Sequence, residues 1–95
     1  MPSSTNLSPK APVTIITGSA GGIGEATARM LARRSHRLII ADLRADAAEA
    51  TAARMRDEGL SAHAVALDIT QPASAAALVE QVLARHGRID VLVNN

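Results

Sequence analysis

Residues Val13 to Gly24 (VTIITGSAGGIG) constrain this chain more than any others. Val13, Ile15 and Ile16 are apolar and β-branched, the pattern of a strand covered on both faces. That strand runs into Thr17-Gly18-Ser19-Ala20-Gly21-Gly22-Ile23-Gly24, with four glycines in seven positions, and an amphipathic helical pattern starts at once. A strand, a glycine-rich turn and a helix in this order form a phosphate cradle. Gly18 lets the chain turn tightly, Gly22 lets backbone approach a pyrophosphate, and Gly24 lets the helix lie close to the strand. The free N–H groups of the first helical turn then face the anion.

The same strand–helix unit recurs downstream. After a polar lead-in of residues 1–12, expected to be disordered, the first strand covers Val13–Thr17 and its helix about Ile23–Arg34. Ile23, Thr27, Met30 and Leu31 form the expected inner stripe of that helix, with Glu25, Arg29 and Arg33 toward water. A second strand, Leu38–Ala41, ends at Asp42. It precedes a helix over Ala45–Glu58 whose inner face is Ala48, Ala52 and Met55, with Gly59 at its C-terminal end. The third strand is Ala62–Leu67, ending at Asp68. Thr70 is expected to cap the next helix, with Pro72 in its first turn. Leu78, Val79, Val82 and Leu83 supply the buried side of that helix, which stops near His86-Gly87. The fourth strand is Val91–Val93, followed by Asn94-Asn95.

Alternating strands and helices imply an α/β fold with a parallel sheet and right-handed crossovers. The doubly wound strand order is 3-2-1-4, which leaves the fourth strand as a bare edge carrying Val91, Leu92 and Val93. Residues 13–95 therefore read as one partial domain, truncated after its fourth strand.

Composition excludes several classes. The net charge of +1 and the absence of a basic run argue against nucleic acid; Arg33, Arg34 and Arg37 gather where a helix C-terminus favours cations. Without cysteine there is no disulfide framework, thiolate nucleophile or Cys-ligated metal. No two of the three histidines have metal-site spacing; His36 and His86 fall at helix ends and His63 lies within a strand. The apolar runs are strand-length, which predicts no membrane span and a cytoplasmic protein by default. With no Phe, Tyr or Trp, the core must come from Val, Ile, Leu, Met and Ala.

Three further positions join the glycine loop at the carboxyl edge of the sheet, where open α/β folds bind ligands. Asp42 ends the second strand, where a carboxylate can accept both hydroxyls of an adenosine ribose and repel a 2′-phosphate. Capping of the following helix is its other reading. Arg44, two residues on, could pair with a 2′-phosphate, but Asp42 and the lack of a cation at Gly21 favour NAD over NADP. Asp68 could accept from an adenine amino group while Ile69 packs on the ring; a helix-start carboxylate is its other reading. Asn94 and Asn95 could tie strands together or touch the ribose. Ser19, with no paired base, reads as a phosphate contact rather than a nucleophile. The cofactor-binding set is thus Gly18, Ser19, Gly21, Gly22, Ile23, Gly24, Asp42, Leu43, Asp68, Ile69 and Asn94.

T-G-S-A-G-G-I-G resembles the TGxxxGIG loop of the short-chain dehydrogenase/reductase family. Asp42, Leu67-Asp68-Ile69 and Asp90-Val91-Leu92-Val93-Asn94-Asn95 resemble that family's signatures in the same order, the last being the first half of its N-N-A-G motif. The resemblance implies a Rossmann-type sheet and alcohol/ketone interconversion, with homo-oligomers in the complete enzyme. It implies that Gly18, Gly22 and Gly24 hold a pyrophosphate, Asp42 selects NAD, Asp68 contacts adenine, and Asn94 lies beside the ribose and steadies the sheet. The family's catalytic serine, tyrosine and lysine follow N-N-A-G. This sequence has no tyrosine, and its only lysine is Lys10. No catalytic residue is expected within it, so the 95 residues should be inactive alone. Two alternatives remain open: a stand-alone NAD-sensing module and, less favoured by the Thr-Gly start and GxxxGxG spacing, an S-adenosylmethionine-binding fold.

Overall fold

The computed structural model describes Ser8 and residues 10–95. Along these residues run β1 (Val13–Thr17), α1 (Gly22–Arg33), β2 (Arg37–Asp42), α2 (Ala45–Asp57), β3 (Ala62–Ala66), α3 (Pro72–His86) and β4 (Val91–Val93). The four strands form one parallel sheet in the expected order, β3-β2-β1-β4. Ile15 pairs with Ile39 on one side and Leu92 on the other, so β1 is an interior strand and all five of its residues are buried.

Strand alternation divides the core in two. Ile16, Leu38, Ile40 and Ala62 pack with Ala28, Ala32, Ala48, Ala52 and Met55 beneath α1 and α2. Val13, Ile15, Ile39, Ala41 and Leu67 pack with Leu78 and Val82 of α3 on the other face. Helices cover both faces, which makes the sheet doubly wound and completes the expected α/β class.

The inner face of α1 differs from the expected stripe. Gly24, Ala28 and Ala32 are buried and Leu31 packs against the core, whereas Ile23 and Met30 are exposed. The helix approaches the sheet so closely at Gly24 that only small side chains fit the seam, and the large apolar ones rotate outward. Glu25 and Arg29, expected to face water, are largely covered in the seam between α1 and α2. Arg29 binds Glu25 at 3.0 Å and also Glu58, while Arg54 reaches Glu25 at 3.4 Å. These carboxylates raise the Arg29 pKa, Glu58 most strongly.

In α3 only Leu78 and Val82 are buried; Val79 and Leu83 are exposed, because this helix meets the sheet along a single i, i+4 line. Its N-cap is Gln71, not Thr70, whose hydroxyl is held by Asp68 instead. The expectation of disorder for residues 1–12 falls partly outside the described residues. Those described show order before Val13: Ala11 is buried and donates its N–H to the Ser8 carbonyl, and Pro12 accepts from the Arg37 N–H.

Candidate functional site

The glycine turn leaves β1 at its carboxyl end and is shaped by close approach. Gly18 takes φ +63° and Gly22 φ +60°, left-handed conformations that L side chains rarely adopt. A Cβ on Gly24 would lie 2.5 Å from the Gly18 carbonyl oxygen and 2.8 Å from Asn95 Nδ2, so turn and helix touch through bare backbone. At Gly21 and Gly22 an added Cβ would meet nothing within 4 Å. Gly21 is the N-cap of α1 and supplies no side-chain cap, so the first-turn N–H groups are left for an external acceptor.

Three elements brace the turn. Asp42 Oδ2, at the end of β2, accepts from the Ala20 N–H at 3.2 Å, and Oδ1 accepts from the Arg44 N–H at 3.1 Å. The Thr51 hydroxyl in α2 donates to the Ala20 carbonyl at 2.6 Å. Beyond β4, the Asn95 side-chain amide donates to the Gly18 carbonyl at 3.2 Å and its N–H to Thr17 Oγ1 at 3.0 Å. Thr17 in turn donates its hydroxyl to Asn94 Oδ1 at 3.2 Å. Asn94 therefore ties β4 to β1, and Asn95 ties β4 to the turn itself.

Ser19 is placed differently from the expectation. Its side chain is fully buried and donates to the Ile16 carbonyl at 2.7 Å, so it braces the turn rather than facing outward. Asp42 does not cap α2, whose N-cap is Arg44 with no side-chain bond. Arg44 instead stands exposed beside Asp42, Nε 3.7 Å from Oδ1.

Asp68 follows β3 at the same carboxyl edge, anchored by the buried Leu67, whose N–H donates to the Asp42 carbonyl at 2.9 Å. Its carboxylate accepts from the Thr70 hydroxyl at 2.6 Å and the Thr70 N–H at 3.0 Å. Those two bonds, the hydroxyl first, hold its pKa below the ordinary carboxylate value, so Asp68 is an anion at neutral pH. Around this edge stand three apolar side chains turned to solvent: Ile23 (79% exposed), Leu43 (70%) and Ile69 (79%). Apolar groups flanking an uncapped helix start and two carboxylates suit a ligand with a flat ring, hydroxyls and a phosphate.

Sequence reasoning named the glycines, Asp42, Asp68 and Asn94, and the fold brings all of them to one edge. It missed Thr51, whose signal was a lone hydroxyl among the inner-face alanines of α2. It also left Asn95 out of the binding set, although this residue contacts the turn directly. Among the described residues no group of histidines and carboxylates could hold a metal ion, and no helix is long and apolar enough to cross a membrane.

Comparison with known proteins agrees with this geometry. A family model for short chain dehydrogenases matches residues 12–95. Sorbitol dehydrogenase of Cereibacter sphaeroides is 49% identical over 81 residues, covering 85% of this chain and 30% of that protein. The uncharacterized oxidoreductase YxjF of Bacillus subtilis is 42% identical over 83 residues, 87% of this chain and 32% of that protein. The crystal structure of a hydroxysteroid dehydrogenase from Escherichia coli superposes with a TM-score of 0.86 at 34% identity, over 97% of this chain and 39% of that one. This chain thus spans about a third of the length of the curated relatives it matches.

Proposed function

This chain belongs to the short chain dehydrogenase family, a family of oxidoreductases that bind a nicotinamide dinucleotide, and we propose that it is the N-terminal, cofactor-holding part of an NAD-dependent member that interconverts an alcohol and a ketone. The observation that carries this reading is the Asp42 carboxylate, fixed at the end of β2 by the Ala20 and Arg44 N–H groups.

When bound, the nicotinamide would supply hydride transfer; the residues present here fit the other half of such a cofactor. The open backbone at Gly21 and Gly22 leaves room for a pyrophosphate against the start of α1. Asp42 would accept from ribose hydroxyls and disfavour a 2′-phosphate by charge repulsion. Asp68 would accept from the adenine amino group, with Leu43 and Ile69 covering the ring. Asn94 would hold β4 in register beside the ribose. Proton transfer to or from a carbonyl oxygen needs a donor beside it. The sequence offers no tyrosine for that role, so the proposal assigns it to residues outside these 95.

Titrating the chain with NADH and NADPH by calorimetry tests the proposal. NADH is expected to bind at least about tenfold more tightly, the equivalent of one unfavourable charge contact. Equal or tighter binding of NADPH would overturn the NAD assignment. Turnover of secondary alcohols with NAD by the chain alone would overturn the assignment of catalysis to other residues.

A further inference from the structure

At the sheet edge opposite β4, α2, β3 and α3 flank a half-open groove of about 660 Å³ whose polar lining is Glu49, Arg56, His63, Gln81 and Arg85. It shares no residue with the glycine turn, Asp42 or Asp68. Its single carboxylate is already engaged: Glu49 accepts from Arg56 at 2.5 Å, and Arg56 also donates to the Ala62 carbonyl at 2.9 Å.

Arg85 is held differently. Its Nη1 donates to His63 Nδ1 at 3.3 Å. A guanidinium can only donate, so Nδ1 must carry the lone pair and His63 is neutral with its proton on Nε2. Arg85 thus donates to an uncharged ring. Behind it, the His86 ring centroid lies 5.6 Å from that of His63, tilted by 47°, and His86 Nε2 is buried without a hydrogen-bond partner among the described residues. Burial first, then Arg85, His86 and Arg56, holds the His63 pKa below the ordinary histidine value, against the opposite pull of Glu49. His86 is lowered in the same way by burial, Arg37 and Arg85. The groove is a concave surface with an excess of positive charge.

We propose that this groove is a binding site for a small phosphorylated ligand, with Arg85 as the forked donor to the phosphate and His63 as a second donor once released from Arg85. A planar guanidinium can give two parallel N–H bonds to a phosphate, which a neutral imidazole nitrogen cannot accept. Protonation of His63 on Nδ1 would end its contact with Arg85 and add a second cation facing the same anion. Phosphate binding and proton uptake by His63 are therefore linked.

The test is proton NMR of the histidine ring resonances in the full chain, titrated with inorganic phosphate and, separately, with sodium chloride at equal ionic strength. Phosphate is expected to shift the His63 and His86 resonances along a saturating curve and to raise the His63 titration midpoint. Arg85→Gln should weaken half-saturation about tenfold, and Arg85→Lys, which keeps the charge without the fork, should fall between. Because Arg85 is exposed on α3, an unchanged backbone amide spectrum outside the groove will show that each variant is folded. Equal shifts in chloride, wild-type titration by Arg85→Gln, or phosphate shifts confined to the Gly18–Gly24 amides would overturn the proposal.

Discussion

The hydroxyl of Thr51 in α2 lies 2.6 Å from the carbonyl oxygen of Ala20 in the glycine turn, and Thr51 is fully buried. The N–H of the same Ala20 is held by Asp42 of β2. Both backbone polar groups of one turn residue are thus satisfied by the second strand–helix unit. The turn keeps its shape because β2 and α2 are docked beside it, not through its glycines alone.

Thr51→Val removes this donor at nearly constant volume and leaves the Ala20 carbonyl without its partner. A loss of about 1–3 kcal/mol in unfolding free energy is expected from an unsatisfied buried acceptor. Urea denaturation measures it. Thr51→Ser keeps the hydroxyl and should recover most of the loss, so equal destabilisation by both substitutions would show that packing, not the hydrogen bond, matters at this position.

Gly24→Ala places a methyl group 2.5 Å from the Gly18 carbonyl oxygen and 2.9 Å from Ser19 Cα, both backbone atoms that cannot swing aside. The turn must move away from α1. Overpacking of this kind costs about 1–3 kcal/mol, and dinucleotide affinity should fall more than tenfold as the cradle opens. Gly21→Ala, where a Cβ meets nothing and φ is −168°, should by contrast leave stability within about 0.5 kcal/mol. Comparing the two by thermal unfolding and NADH titration separates crowding from loss of a glycine.

The contrast between these glycines marks what was legible in the sequence. The strand order, both helix layers and the collection of Gly18, Asp42, Asp68 and Asn94 at one edge follow from strand–helix alternation and the parallel sheet it requires. The rotation of α1 does not follow. Large apolar residues dominate a periodicity count, so Ile23 and Met30 marked the inner face, whereas close approach at Gly24 hands it to Ala28 and Ala32. Ser19 was misjudged for a related reason: a hydroxyl in a glycine loop suggests a ligand, but the turn folds it inward onto Ile16. A contact across 31 positions, such as Thr51 with Ala20, shows locally only as a hydroxyl among alanines, which does not name its partner.

Asp42→Ala removes acceptors from two backbone N–H groups, Ala20 and Arg44. The expected cost is about 1–2 kcal/mol, since the exposed Arg44 N–H regains water whereas the N–H of the buried Ala20 loses a part-buried partner. The substitution should also narrow any preference for NADH over NADPH, leaving the exposed Arg44 as the nearest charge. Parallel calorimetric titrations read both effects; an unchanged preference would remove Asp42 from the selection of cofactor.

The edge strand β4 carries Leu92 at 64% exposure, one position along from the half-exposed Val91. An apolar edge with unpaired backbone groups is a site for strand addition by another chain. The chain on its own is expected to self-associate with rising concentration, and Leu92→Lys should raise its monomer fraction in sedimentation velocity. Self-association that ignores this substitution would have to run through another surface, such as Val79 and Leu83 of α3.

Stability should also fall in mild acid, and the sign follows from the histidine pair. His63 and His86 both have pKa values below their ordinary value of 6.5, burial being the largest cause for each. The unfolded chain then binds protons before the folded chain does, so stability is complete above about pH 6.5 and declines as pH falls below it. The lowered carboxyls of Asp68 and Asp90 act in a separate window: their contributions persist until pH drops below 3.8, through still lower folded values. A melting temperature followed from about pH 7.5 to about pH 5.5 in a buffer free of phosphate should therefore decrease through the histidine range. His86→Gln removes one of the two titrating rings and should flatten that decrease. An equally steep decline in the variant would show that His86 contributes none of it and leave His63 and groups elsewhere as its source.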